Sequence, residues 1–233
     1  MAELTSLFSR CRSILVLDTE TSGLSFSGEE IIEFAAAKLE LRQGRVTVTA
    51  EADEFIRRTD DRRLAPRIVE LTGITDEMLR EDGISKQAFA ELLAGLLEEE
   101  TMIAAYNAQF DLLFLYYFLL SHGDARLLQD KPKLDLLTVY RDRRPYPHKL
   151  CNAIEAYGLQ NRVQNSHRAI DDVRATVEVM KAMEDELPDL EKYIDLFGYS
   201  AKYGVSGPRI SSVRYLPQGL EGTGKLYHML YTI

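Results

Sequence analysis

The 233-residue sequence contains only two cysteines and no long apolar segment. Cys11 and Cys151 lie far apart and lack the spacing of a metal-binding motif, which favours reduced thiols in a cytoplasmic protein over a disulfide framework. No run approaches the roughly 20 apolar residues of a membrane-spanning helix, and residues 1–12 lack the basic segment and apolar core of a secretory signal. Fixed-period repeats and polymerase, helicase or ligase motifs are absent as well. We therefore expect a cytoplasmic globular protein that contacts no membrane.

Basic residues are fewer than acidic ones, 28 against 37, which gives a formal net charge of −9. A negative protein generally repels polyanions such as nucleic acids. The charge is uneven, however, because residues 196–233 contain four basic residues against the single acid Glu221, a balance of +3 that leaves −12 for the rest of the chain. Bound metal ions would offset part of this negative charge, so the composition does not exclude a nucleic-acid substrate.

Segments with strand and helix patterns alternate along the chain. Residues 31–41 and 45–56 are joined by Gln43-Gly44, a tight-turn signal, and predict an antiparallel hairpin, although the three alanines within residues 34–38 also suit a helix. Short apolar runs predict further strands at residues 14–17, 101–106 and 133–137. The remaining patterns predict helices at residues 65–71, 75–80, 89–97, 112–120, 150–157 and 165–184. This alternation indicates an α/β domain with a mixed sheet over residues 1–187.

Residues 188–233 differ in composition from this domain. They are rich in tyrosine and glycine, carry the positive charge, and contain a suggested small hairpin at residues 211–216. We interpret them as a C-terminal extension that contacts nucleic acid, docks on a protein partner or folds back on its own domain. Upstream of it, residues 141–149 are basic and interrupted by two prolines, which predicts either a solvated loop or a phosphate contact.

Two acids follow the first apolar strand. Asp18 and Glu20 are separated by one residue, and side chains at positions i and i+2 of a strand point to the same face. Two carboxylates that repel each other beside an apolar core favour a hard divalent cation such as Mg²⁺ or Mn²⁺ between them. The alternative is a strand that runs into a polar loop with solvated acids.

Further candidate residues occur at two predicted helix starts. Asp111 follows Asn107 and begins a very apolar helix, while His167, Asp171 and Asp172 begin the last long helix. Acids in a first turn are commonly explained by the helix dipole, and a histidine before a helix is commonly a surface residue. The apolar stripe of the last helix does not decide between Asp171 and Asp172.

Taken together, these motifs resemble the DEDD superfamily of 3′–5′ exonucleases in its histidine-containing branch, DEDDh. Its members include the proofreading epsilon subunit of bacterial DNA polymerase III and the exonuclease part of PolC-type polymerases. The matching segments are residues 18–24, 107–111 and 167–172, with further similarity at residues 71–75 and around Asp135. The resemblance covers residues 13–184, and the spacing from His167 favours Asp172 over Asp171. Many members have a histidine where this chain has Tyr106.

The resemblance implies a ribonuclease H-like mixed five-stranded sheet and a two-metal hydrolysis of terminal phosphodiester bonds that releases nucleoside 5′-monophosphates. Asp18 would bridge two Mg²⁺ or Mn²⁺ ions, Glu20 and Asp172 would complete one of them, and Asp111 would act through the second ion or its waters. His167 would serve as the general base, since its ordinary pKa suits proton uptake near neutral pH. The terminal nucleotide would contact Thr19, Thr21, Leu24, Tyr106, Asn107 and Phe110. Leu24 and Phe110 could instead pack in the core.

The main interpretation is a 3′–5′ exodeoxyribonuclease for proofreading or repair that acts on single-stranded or frayed 3′ ends of DNA, with a DNA polymerase subunit as a candidate partner. An exoribonuclease that trims RNA ends is the nearest alternative, because no residue that reads a 2′-hydroxyl can be identified. A non-catalytic subunit that only binds a polymerase or nucleic acid is the other. The complete set of acids argues against it.

Overall fold

The computed structural model describes residues 3–60, 62–98, 100–163, 168–219 and 225–231. Five strands form the main sheet in the order β3-β2-β1-β4-β5. β1 is antiparallel to β2 and β2 to β3, whereas β4 is parallel to β1 and β5 to β4. Their bounds are Ser13–Thr21 (β1), Ile31–Arg42 (β2), Arg45–Phe55 (β3), Thr101–Ala105 (β4) and Lys133–Asp135 (β5). The predicted mixed five-stranded sheet is confirmed.

Helices cover both faces of this sheet. The α-helices are Thr5–Phe8 (α1), Pro66–Thr72 (α2), Asp76–Glu81 (α3), Lys86–Leu96 (α4), Ala108–His122 (α5), Leu136–Arg143 (α6), Leu150–Ala156 (α7) and Ala169–Glu186 (α8). Short 3₁₀ helices occur at Ala125–Leu128, Leu190–Tyr193 and Leu226–Tyr231. None of the helices in the described ranges is both long and apolar enough to cross a bilayer.

β1 is buried on both faces, and its side chains alternate between two cores. Ile14 and Val16 pack in the cluster that contains the apolar side of α8, whereas Leu15 and Leu17 pack in the cluster that contains α4 and α5. A strand covered on both faces needs a continuous apolar run rather than an alternating one. The strand that carries the first two acids is therefore the central element of the domain.

The β2–β3 hairpin has the tight turn predicted from Gln43-Gly44. Both residues have positive φ, 52° and 76°, the conformation that a two-residue hairpin turn requires. Residues 34–38 lie within β2 and are paired with β3, so the helical alternative for them is wrong.

Two predictions near β5 need correction. The strand ends at Asp135 rather than at residue 137, because the Asp135 carboxylate accepts hydrogen bonds from the backbone N–H groups of Leu137 and Thr138 and so begins α6. Arg141 and Arg143 lie in α6 and not in a loop. The Arg143 side chain is only 2% exposed and forms an ion pair with Asp189, 2.5 Å from Nη2 to Oδ1, so it is a structural residue rather than a phosphate contact.

The C-terminal extension contains two strands, Leu196–Ser200 (β6) and Arg214–Gln218 (β7), which pair in parallel. The predicted hairpin at residues 211–216 is therefore wrong, because a parallel pair cannot be joined by a tight turn. Tyr193, Leu226 and Tyr227 join the core cluster that contains α8. The extension thus folds back on the domain, and a domain boundary at residues 187/188 stays a prediction.

Candidate active site

Three carboxylates from distant parts of the sequence meet at one end of β1. Asp18 and Glu20 project from the same face of β1, and Asp172 lies in the first turn of α8, which packs on β1 and β2. One carboxylate oxygen from each residue lies within 4.8 Å of the other two. Asp172 is 9% exposed and the two strand acids are half-buried. Asp171 is not in this group, which decides between the two neighbouring aspartates.

Asp111 lies beside this group on the N-terminal turn of α5. Its side chain is 2% exposed, and its Oδ1 accepts hydrogen bonds from the backbone N–H of Thr19 at 2.9 Å and from the Thr19 hydroxyl at 2.7 Å. These bonds connect α5 to the segment of β1 between Asp18 and Glu20. The four predicted acids therefore lie at one site, although Asp111 is outside the tight group of three.

The electrostatics of the site oppose ionisation of its acids. Burial raises the pKa of Asp18 well above its ordinary value, and the negative charges of Asp111 and Asp172 raise it further. Burial likewise raises the pKa of Glu20 to about 8, with further contributions from the charges of Asp172 and Glu33. Burial also raises the pKa of Asp111, against the hydrogen bonds from Thr19 that lower it. Such a group of oxygen ligands fits a hard divalent cation, which would relieve the repulsion.

Glu33 on β2 is a buried acid of the site that the sequence analysis missed. It is fully buried and lies opposite Glu20 in the β1–β2 register. Its Oε1 accepts hydrogen bonds from Arg168 Nε and Nη2 at 2.8 and 2.7 Å, and its Oε2 accepts one from the Ala169 N–H at 3.1 Å. Glu33 therefore holds the start of α8, the helix that carries Asp172. The only sequence signal is a single acid inside the apolar run of β2.

Asp135 holds the turn that precedes α5. Its Oδ1 accepts hydrogen bonds from the N–H groups of Asn107 and Ala108 at 3.0 and 3.1 Å. Asn107 has a left-handed backbone with φ of 72°, a conformation that asparagine tolerates better than most residues. Asp135, where the sequence resembles the family, thus positions the backbone of residues 107 and 108 in the matching segment 107–111.

The predicted substrate-binding residues have different surroundings. Leu24 is 85% exposed, so the alternative of core packing is wrong for it. Phe110 is partly buried against the α5 core and packs on Phe114, with ring centroids 4.9 Å apart. Tyr106 is half-buried, and its hydroxyl donates a hydrogen bond to the His148 carbonyl at 2.9 Å.

The remaining members of that set lie close to the acids. Asn107 is exposed, whereas Thr19 and Thr21 are buried. The Thr21 hydroxyl donates a hydrogen bond to the Gly23 carbonyl at 2.7 Å. Contacts of these residues with a substrate stay predictions. His167 lies outside the described residues, so its role as the general base also stays a prediction.

Comparison with known proteins identifies relatives along most of the chain. A family model described as "Exonuclease" matches residues 15–180. The PolC-type DNA polymerase III of Thermotoga maritima is 31% identical over 198 residues, which is 81% of this chain and 14% of that protein. The corresponding polymerase of Halalkalibacterium halodurans is 30% identical over 223 residues, 93% of this chain and 14% of that protein. The chain therefore spans about one seventh of the length of these relatives.

Solved structures with the same fold include E. coli Exonuclease I. Its complex with a dA16 oligonucleotide matches with a TM-score of 0.67 and 25% identity, over 78% of this chain and 42% of that one. Its zinc-bound complex with single-stranded DNA matches with a TM-score of 0.67 and 27% identity, over the same shares of the two chains. The ribonuclease H-like fold and the resemblance to DEDD exonucleases are confirmed by these matches. Because the family model covers well over half of its residues, and these acids meet at one site, the chain belongs to the exonuclease family.

Proposed function

We propose that the protein is a metal-dependent 3′–5′ exonuclease that hydrolyses the terminal phosphodiester bond of single-stranded DNA and releases nucleoside 5′-monophosphates. The observation that carries this proposal is the meeting of Asp18 and Glu20 with Asp172, which follows them by more than 150 positions in sequence, in one group of carboxylates. Exonuclease I, whose fold this chain shares, is described in complex with single-stranded DNA, which supports the choice of substrate.

The family depends on divalent metal ions, and the donor set is one that Mg²⁺ or Mn²⁺ prefers. Asp18, Glu20 and Asp172 would hold an ion, with Asp111 beside a second one. When bound, the ions would activate water and stabilise the charge that develops on the leaving oxygen. Thr19 holds Asp111 through two hydrogen bonds, and Glu33 holds the start of α8, so the acids are positioned before any metal binds.

The 3′ end is expected to bind between the exposed Leu24 and the start of α5. Leu24 offers an apolar surface for a base, and Asn107 offers exposed polar groups on the turn that Asp135 holds. Tyr106 already donates its hydroxyl proton to the His148 carbonyl, so its ring and the acceptor side of its hydroxyl oxygen are what it offers to a nucleotide. We propose His167 as the general base that takes up a proton from the attacking water.

A role beside a DNA polymerase is part of the proposal. The relatives are named as PolC-type DNA polymerase III, and this chain corresponds to a small part of each. We therefore propose that it removes nucleotides from frayed 3′ ends in proofreading or repair. The cytoplasmic location expected from the two cysteines, which are both free thiols, stays a prediction.

The test uses purified protein with 5′-labelled DNA and RNA oligonucleotides in Mg²⁺, in Mn²⁺ and in a chelator. We expect a ladder that shortens from the 3′ end of DNA, requires the metal, and is faster on a mismatched primer end than on a paired one. Asp18→Asn should reduce the rate by about 100-fold or more, since it removes charge from the metal site. The matched control is Asp171→Asn, a neighbouring acid outside the group, which should retain activity.

The same experiment separates the alternatives. Faster cleavage of RNA than of DNA would replace the proposal with an exoribonuclease. Oligonucleotide binding without cleavage in either metal would indicate a non-catalytic subunit. Equal loss of activity in Asp18→Asn and Asp171→Asn would contradict the assignment of the metal site.

A further inference from the structure

The C-terminal extension contains the longest stretch of the sequence that has no acidic residue. Residues 196–219 include Lys202, Arg209 and Arg214 and no aspartate or glutamate. All three basic residues are exposed, and none forms an ion pair with an acid among the described residues. In a chain with a net charge of −9, this stretch is a local basic surface.

Aromatic rings accompany these basic side chains. The Lys202 ammonium lies 5.0 Å from the centre of the Tyr203 ring. The Arg209 guanidinium lies 5.8 Å from the Tyr199 ring and 5.4 Å from the Tyr215 ring. Tyr203 is 78% exposed, so its ring is accessible to a ligand. We call Tyr199, Lys202, Tyr203 and Arg209 the tail platform.

The loop between Tyr203 and Arg209 of the tail platform is attached to the start of α5. Gln109 lies between Asn107 and Asp111, and its amide nitrogen donates hydrogen bonds to the carbonyls of Ser206 and Pro208 at 3.1 and 2.7 Å. The Gln109 side-chain oxygen accepts a hydrogen bond from the Tyr215 hydroxyl at 2.6 Å. The Gln109 side chain, in the matching segment 107–111, therefore fixes residues 206–208, which lie between Tyr203 and Arg209 of the tail platform.

The same loop also contacts the segment that follows the first motif. A Cβ atom added to Gly207 would lie 2.9 Å from a methyl carbon of Leu113 and 3.1 Å from the ring of Phe26. Gly207 has a φ of +80°, so glycine suits this position both by its backbone and by the close approach. The loop is thus packed between the two segments that bound the proposed 3′-end site.

We propose that the tail platform binds the single DNA strand upstream of the terminal nucleotide. Bases would stack on Tyr203 and Tyr199, and Lys202 and Arg209 would contact phosphates, the usual combination for single-strand binding without sequence preference. This inference rests on the proposed function, because it assigns the upstream part of the same substrate. The excess of acids elsewhere on the chain would repel the strand, so the basic tail platform also sets the direction from which it enters.

The test measures how activity and binding depend on substrate length. The ratio of kcat/KM for a dT oligonucleotide of about 16 residues to kcat/KM for a dinucleotide should fall about fivefold or more in Tyr203→Ala, because a stacking contact is lost only with the longer substrate. Tyr203→Phe keeps the ring and should retain the wild-type ratio. A loss of the ratio in both variants would contradict stacking as the contact.

Binding of the same long oligonucleotide, measured by fluorescence anisotropy in a chelator, provides an independent measurement. The slope of log affinity against log salt should decrease by about 0.7 in Lys202→Ala, the value for one phosphate contact with a single strand. The control is Arg45→Ala, which changes an exposed basic residue at the start of β3, at the opposite end of β1 from the acids. It should leave the slope unchanged.

The outcomes for the two proposals can be told apart. Suppose that Tyr203→Ala behaves as Tyr203→Phe, that Lys202→Ala behaves as Arg45→Ala, and that the wild type degrades DNA. The tail platform then does not bind the strand, and a protein partner is the more plausible ligand of this surface. If the wild type binds the oligonucleotide through the tail platform but degrades nothing, the proposed function fails and the binding surface stands. Absence of any binding of the long oligonucleotide by the wild type overturns the inference.

Discussion

Burial raises the pKa of Glu20 to about 8, and the negative charges of Asp172, Glu33 and Asp111 contribute to this shift. An unfolded chain would titrate this side chain near its ordinary value of about 4.3. The folded protein therefore binds the proton more tightly than the unfolded one does, so ionisation of Glu20 destabilises the metal-free fold. Stability from this group is present at low pH and is lost as the pH rises towards 8.

At the residue scale we predict that Glu20→Gln stabilises the metal-free protein at high pH. In a chelator, the free energy of unfolding at pH 9 should exceed that of the wild type by on the order of 2 kcal/mol, since one repelling charge is removed. The difference should shrink between pH 8 and pH 5 and vanish near pH 4, where the wild-type side chain is protonated in both states. Denaturant unfolding across this pH range measures it.

Added Mg²⁺ provides the control for this prediction. The wild type should gain more stability from Mg²⁺ at pH 8 than Glu20→Gln gains, because the variant has one ligand charge fewer. A stability difference that is the same at all pH values, or an equal gain from Mg²⁺ in both proteins, would show that the charge of Glu20 is not what matters.

At the scale of elements, the hydrogen bonds between Glu33 of β2 and the start of α8 determine the position of Asp172. Glu33 is fully buried in β2 and binds both the Arg168 guanidinium and the first N–H of α8. An unsatisfied N–H at a buried helix start and an arginine without its partner both destabilise a fold. The position of Asp172 thus depends on a residue outside the group of three acids.

We predict that Glu33→Gln lowers the free energy of unfolding by about 2 kcal/mol, the range for a hydrogen-bonded charged group. The amide can still accept one hydrogen bond, so the protein should fold, but the start of α8 should be held less firmly. Mg²⁺ should therefore stabilise the variant less than the wild type in a thermal-shift titration.

The chain offers a matched control on the same helix. Glu51 on β3 forms an ion pair with Arg174 of α8, but both side chains are largely exposed. Glu51→Gln should change stability by less than about 1 kcal/mol and leave the response to Mg²⁺ intact. Equal effects of the two substitutions would mean that Glu33 does not position the helix.

At the scale of the whole molecule, the C-terminal extension is joined to the domain through a buried ion pair. Arg143 of α6 and Asp189 of the extension have side chains only 2% and 4% exposed. The second oxygen of Asp189 accepts a hydrogen bond from the Tyr227 hydroxyl at 2.7 Å, and the Tyr193 hydroxyl donates one to Asp142 at 2.8 Å. The extension is therefore held on the domain by a polar network as well as by its apolar residues.

We predict that Asp189→Ala destabilises the protein by about 3 kcal/mol, because the buried Arg143 guanidinium loses its nearest carboxylate and keeps only the more exposed Glu186, 3.2 Å from Nη1 to Oε2. Denaturant unfolding monitored by tyrosine fluorescence measures the effect. Glu81→Ala breaks an exposed contact with Arg80 and should stay below about 1 kcal/mol. A small effect of Asp189→Ala would show that the Arg143–Asp189 ion pair contributes little to the attachment of the extension.

The sequence alone determined the features that depend on short stretches of chain. The apolar run of β1 with Asp18 and Glu20 on one face and the Gln43-Gly44 turn are readable because local periodicity and turn chemistry carry them, whereas the choice of Asp172 came from the resemblance to the family motif. Together they were sufficient to predict the sheet, the acids and the family.

Only the tertiary structure decided the remaining features. The role of Glu33 depends on a hydrogen bond with Arg168, 135 residues later in the sequence. The role of Arg143 depends on a buried ion pair with Asp189, which its basic, Pro-containing sequence context does not indicate. β6 pairs in parallel with β7, and Gln109 binds the backbone of Ser206. Both contacts join segments that no local sequence pattern connects. The physical reason is that burial of a polar group requires a partner, and the partner's identity is set by how the chain packs rather than by its neighbours in sequence.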